Sequence, residues 1–188
     1  MVREFERRVI EVVQKSLGAS LGKTPDWLVR PGRDECRAEW DRVREIYKAL
    51  TDLELPAVMR SVERRTVDAV LTVGKHSRIL EVDEKQHFNK FRAETLKHYA
   101  DRTSLASDIQ EWHRLSFQKT KLEGGRFARA MPPLFPGING QHKQRAFRDA
   151  LCDLLPPLHG YAPTLRISKY EASAWIWDPN ANARMEAL

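Results

Sequence analysis

The stretch TVDAVLTVGKHSRILEVDEK, residues 66–85, decides the fold. In its first half Val67, Ala69, Leu71 and Val73 alternate with Thr66, Asp68 and Thr72. In its second half Leu80 and Val82 alternate with Glu81, Asp83 and Lys85. Side chains along a strand point to opposite faces in turn, so each half is a strand with one apolar and one polar side. Gly74-Lys75-His76-Ser77 reads as the turn between them. With Val73 facing Arg78, Leu71 lies opposite Leu80 and Ala69 opposite Val82, which makes a coherent core face. The same register sets Asp68 opposite Asp83, with Glu81 a diagonal neighbour.

Three carboxylates so placed repel one another and raise one another's pKa. A divalent cation with oxygen ligands removes that repulsion and makes the cluster a site. Asp68, Glu81 and Asp83 are therefore the candidate metal ligands. Lys85 projects onto the same face, where an ammonium holds a phosphate or orients a water. Together these groups suit metal-assisted phosphodiester cleavage, in which the cation polarises the phosphoryl oxygen and acidifies its bound water. The plain alternative is a strand whose charged side is simply solvated.

Outward from this hairpin the chain alternates between helical and extended periodicity. Phe5, Val9, Val12, Val13 and Leu17 trace one helical face over 2–17. Gly18, Gly22, Pro25, Pro31 and Gly32 then mark a loop, and a second helix runs from Asp34 to about Leu50. The extended pattern covers Val58–Val73 and Arg78–Lys85. Asn89 to about Phe117 reads as helix, and 118–140 as a basic, Gly- and Pro-rich connector. Asn139 caps a helix carrying Phe147, Leu151, Leu154 and Leu155, which Pro156-Pro157 ends, and Thr164–Ser168 is a last strand. From Asp178 the tail carries no signal. The order is that of one mixed α/β domain.

The chain has 188 residues, 41% of them hydrophobic and 31% charged, which argues for a single folded domain and against general disorder. No apolar run reaches the ~20 residues of a membrane span, and MVREFERR lacks a signal-peptide core, so a soluble cytoplasmic protein is expected. Cys36 and Cys152 are far apart and form no Cys-x-x-Cys, which supports neither a disulfide framework nor a cysteine zinc site. Thirty-two Lys+Arg against 26 Asp+Glu leave a net charge of +6, a field that favours a polyanionic partner.

At the hairpin the sequence resembles the PD-(D/E)XK nucleases of the restriction-endonuclease-like fold, whose signature is an Asp followed on the adjoining strand by Asp/Glu-x-Lys. Asp68 stands for the first element and Glu81-Val82-Asp83-Glu84-Lys85 for the second. ILEVDEKQHF is similar to the strand end of the very-short-patch-repair-like branch, in which an Arg-Asp helix, a Gly-Tyr and a "TLRI" strand follow. Here these are Arg148-Asp149, Gly160-Tyr161 and Thr164-Leu165-Arg166-Ile167. Glu84 departs from the usual Gly. The lysine is open to two readings: Asp83 fills its position if Glu81-x-Asp83 is the motif, whereas Asp83-x-Lys85 completes the signature.

The resemblance implies a restriction-endonuclease-like core, a mixed central sheet flanked by helices, built from 57–90 and 140–170. Residues 1–56 are an N-terminal helical addition and 91–139 a helical and loop insertion. It further implies Mg²⁺, with Mn²⁺ substituting, and DNA as substrate, RNA standing open. Gln86 and His87 line the site, with His87 donating a proton to the leaving group or, in the plain reading, bonding a neighbouring backbone group. Phosphate contacts are expected from Arg60, Arg64 and Arg65, from Lys75 and Arg78 at the turn, and from Lys119, Lys121, Arg126 and Arg129 in the connector. A homodimer is the simplest way to cut both strands. A nucleic-acid-binding module of the same fold without catalysis is the rival.

Overall fold

The computed structural model describes residues 2–59, 65–99, 105–118, 121–122 and 124–186. In chain order it places α1 (Val2–Leu17), β1 (Ser20–Gly22), α2 (Asp26–Val29), α3 (Arg33–Cys36), α4 (Trp40–Thr51), β2 (Ala69–Val73) and β3 (His76–Asp83). There follow α5 (Lys90–Leu96), α6 (Ile109–Gln118), α7 (Gly140–Leu154), β4 (Ala162–Ser168), α8 (Lys169–Ala172) and α9 (Ala181–Glu186). The strands form one open mixed sheet in the order β1-β2-β3-β4. β1–β2 and β2–β3 are antiparallel and β3–β4 is parallel. The expected mixed sheet flanked by helices is thus present.

The sheet lies between two apolar layers. On one face Ala69, Leu71, Leu80, Val82 and Ile167 pack against Phe5, Val9, Val12 and Val13 of α1 and against Trp175, Ile176 and Met185 near the C-terminus. Ile79 points the other way, into a cluster built from α4, α5, α6 and α7. Sandwiched like this, β3 is buried on both sides from Ile79 to Asp83. Its acids are therefore interior groups, which removes the plain reading of a wetted strand face.

Several sequence expectations need correction. The hairpin pairs Ala69 with Leu80, Leu71 with Arg78 and Val73 with His76, two residues tighter than the expected register. Gly74, at φ 60, takes the first of two turn residues, as a tight II′ hairpin requires, so His76 and Ser77 join the strand. A two-residue slip preserves which face each side chain occupies, so the core face survives. Of the extended stretch expected over Val58–Val73, the described residues form a strand at Ala69–Val73, and residues 60–64 lie outside the described residues. The single helix expected over Asn89–Phe117 is two helices, α5 and α6. The short edge strand β1 and the terminal α9 have no counterpart in the sequence reading.

Candidate functional site

The parallel pairing fixes the site. Glu81 lies beside Arg166 and Asp83 beside Ser168, so Arg166 extends over the same side of the sheet as the two acids. Above that side runs α7, whose Asp149, Cys152 and Asp153 are spaced i, i+3, i+4 and form one stripe facing the strands. All of these groups are buried. A polar stripe on a helix against the polar side of a strand lets each buried group find a partner.

Arg166 is the hub. Its guanidinium donates to Asp83 Oδ1 at 2.7 Å and Oδ2 at 3.0 Å, to Asp153 Oδ1 at 2.6 Å and to the Asp149 carbonyl oxygen at 3.0 Å. Asp153 Oδ2 also accepts from Arg92 at 2.6 Å and from the Tyr99 hydroxyl at 2.7 Å. The Trp112 indole N–H donates to Asp83 Oδ2 at 2.6 Å. Burial alone raises Asp149 and Asp153, but His87 and Arg166 hold the first well below the carboxylate range, and Arg166 and Arg92 hold the second below it.

Asp68 and Glu81 are in the opposite condition. Asp68, just ahead of β2, accepts the Val82 backbone N–H at 2.8 Å. Its carboxyl is nevertheless raised, by burial and by the Asp83 and Asp149 charges. Glu81 is pushed up to about 7, first by burial and then by Asp68, against the pull of Arg65 and Arg166. The Cys152 thiol donates to Glu81 Oε1 at 3.1 Å, and Arg65 donates to the same sulfur at 2.7 Å. Neighbouring carboxyls that resist ionisation have the donor chemistry of a hard divalent cation.

The chain turns sharply after Asp83. Lys85, Gln86 and His87 form a single 3₁₀ turn, which removes Lys85 from the strand face and leaves it exposed. Gln86 donates to Glu84 Oε2 at 2.8 Å. The turn swings His87 back over the strand end, so that Nδ1 lies 3.1 Å from Asp149 Oδ2 and 3.4 Å from Asp83 Oδ1. Burial opposes a charge on His87, but the Asp149 charge and hydrogen bond, with Asp83, raise its pKa above the usual value. A histidine held protonated by an aspartate is an organised proton donor.

Asp83, His87 and Asp149 each offer one ligand atom, all within 4.8 Å of one another. Among the described residues this is the group whose donors converge closely enough to hold an ion; Asp68, Glu81 and Asp83 do not meet at one point. The reason is the register. It sets Asp68 level with Glu81 rather than with Asp83, while Arg166 draws the Asp83 carboxylate away.

The expected phosphate contacts are dispersed. Arg65 is buried, donating to the Arg148 carbonyl at 2.8 Å and to Cys152, so it is an interior partner of Glu81 rather than a surface contact. Arg78 and Lys75 are toward the turn end of β3, about 17 Å and at most about 26 Å from Asp83 at strand rise. Lys121 and Arg129 are exposed. Arg60, Arg64 and Lys119, and the side chain of Arg126, lie outside the described residues.

Sequence reasoning quoted Asp149 in the Arg-Asp pair but gave it no role, and missed Asp153, although two acids one turn apart on the otherwise apolar face of α7 were a readable signal. Arg92, Tyr99 and Trp112 gave none, because their partners are far away in sequence.

The model of a family of unknown function (DUF7255) matches residues 45–130. That segment contains Asp68, Glu81, Asp83, His87, Arg92 and Trp112, whereas Asp149, Asp153 and Arg166 lie beyond it. Neither the curated proteins nor the solved structures contain a match to the chain. No helix among the described residues is long and apolar enough to cross a membrane.

Proposed function

We propose that the chain is a divalent-metal-dependent endonuclease acting on DNA, with a restriction-endonuclease-like core. One observation carries this reading: two carboxyls that resist ionisation, half-buried Asp68 just ahead of β2 and buried Glu81 on β3, stand next to a His87–Asp149 pair poised to give up a proton. That is a place for a cation beside a place for a leaving group. Mg²⁺ or Mn²⁺ there supplies Lewis-acid polarisation of a phosphodiester and a more acidic bound water. In this reading Asp68 and Glu81 hold the cation, Asp83 stays with Arg166 and Trp112, and Asp149 orients His87 toward the departing oxygen. The net positive charge of the chain favours a polyanionic substrate.

The test is cutting of supercoiled plasmid by the purified protein with Mg²⁺ or Mn²⁺. Activity is expected in wild type, to be abolished in Asp68→Ala and to fall by about 10²–10⁴-fold in His87→Ala. A folded protein that cuts neither supercoiled, linear nor single-stranded DNA overturns the proposal.

One observation favours a second reading, a DNA-binding module without catalysis. Both oxygens of Asp83 are engaged by Arg166 and Trp112, which leaves that carboxylate neutralised by a guanidinium. Retention on DNA with no cutting under any divalent metal is the outcome that selects it.

A further inference from the structure

Two lysines beside the site stand against their helix dipoles. Lys90 opens α5 and Lys143 lies in the first turn of α7, and neither first turn contains an acid. A cation near a helix N-terminus opposes the helix dipole, so Asp or Glu is the stabilising choice at such positions. Both ammoniums lie over the same ring, Lys90 Nζ at 5.2 Å and Lys143 Nζ at 5.7 Å from the Phe91 centroid. Among the described residues neither has a carboxylate partner. Two like charges brought to one half-buried ring, each against a helix dipole, are a local excess of positive charge that the fold does not neutralise.

Their position relative to the site is fixed. The Asn89 side chain accepts from the Phe91 and Arg92 N–H groups and donates to the Gln86 carbonyl, which ties the start of α5 to the turn holding His87. Arg92, the next residue, is anchored to Asp153. Lys143 precedes Asp149 by six residues on one helix, about 9 Å along its axis.

We propose that Lys90 and Lys143, gathered on Phe91, grip the phosphate backbone of the DNA strand entering the site at His87 and Asp149, one phosphate to each ammonium. This deepens the nuclease reading and rests on it for the identity of the polyanion.

The experiment is fluorescence anisotropy of a labelled DNA duplex with the full chain in EDTA, so that binding is read without cutting. The Lys90→Ala/Lys143→Ala double variant is compared with wild type between about 50 and 200 mM salt. The plot of log affinity against log salt is expected to become shallower by about 1.5–2, because two phosphate contacts are lost. Affinity at the low-salt end is expected to fall at least tenfold, and the melting temperature not to fall. Lys15→Ala/Lys23→Ala, two exposed lysines outside the site, is expected to leave the slope unchanged. Wild-type binding with an unchanged slope in the Lys90/Lys143 variant overturns the grip and leaves the nuclease reading standing. A melting temperature lowered by that variant assigns the lysines to the fold and also overturns it. If wild type binds no DNA at low salt, the grip and the nuclease reading fall together.

Discussion

Glu81 separates structural from functional carboxylates at this site. Asp83, Asp149 and Asp153 are each matched by a guanidinium, an imidazole or an indole N–H, and the fold gains from the charges of Asp149 and Asp153. Glu81 is buried with less support, and its carboxyl is raised to about 7 from an ordinary 4.5. Between those two values the folded protein binds a proton that the unfolded chain has released, so stability declines as pH rises through that window. Replacing the carboxyl by an amide removes this penalty and keeps an oxygen for the Cys152 thiol. Glu81→Gln is therefore expected to stabilise the protein at pH 8, by up to about 3 kcal/mol for a shift of this size. The gain should vanish below about pH 4.5, where both states are protonated. Urea unfolding at the two pH values measures it. A loss of stability at pH 8 would show that Glu81 is held as a structural anion. The same variant is expected to lose plasmid cutting, as a functional group retained at a cost to stability should.

The β2–β3 hairpin tests how elements divide between building the site and presenting it. The strand alternation was legible because side-chain direction has a period of two, and a slip of two residues cannot change a face. The register itself was not legible, since it depends on whether His76 and Ser77 belong to the turn or the strand, and Gly74 permits the tighter choice. The acids of α7 were legible as polar groups on an apolar face but their role was not, because their partners Arg92, Arg166 and His87 come from three other segments. Gly74 allows the turn to be tested apart from the site. It sits at φ 60 with no heavy atom within 4 Å of an added Cβ, so Gly74→Ala introduces backbone strain and no clash. A stability loss of about 1 kcal/mol is expected, seen in thermal unfolding. Plasmid cutting should be unchanged, because the turn is at the opposite end of β3 from Asp83. A larger fall in activity than in stability would mean that the register at Asp68 depends on this turn.

At the scale of the whole molecule the buried charges set a pH profile of two opposing halves. Asp149 and Asp153 are held below their ordinary 3.8, so their contribution is complete above about pH 4 and is lost as pH falls through their folded values. His87 works the other way. Its pKa is raised from 6.5, so its contribution is complete below about pH 6.5 and disappears as pH rises through the folded value. Glu81 and Asp68, both raised, add to the decline on the alkaline side. The sum is a protein most stable in mildly acidic solution, near about pH 5, with a lower urea midpoint at pH 8. A divalent cation held by Asp68 and Glu81 should cancel much of the alkaline decline, since binding to the folded state alone adds stability in proportion to the logarithm of its concentration over Kd. The measurement is the urea midpoint at pH 5 and pH 8, each with and without Mn²⁺. A stabilisation by Mn²⁺ that is large at pH 8, small at pH 5 and absent in Asp68→Ala is the expected result. Equal effects at both pH values, or an effect that persists in Asp68→Ala, would move the cation to Asp83, His87 and Asp149 or off the site altogether.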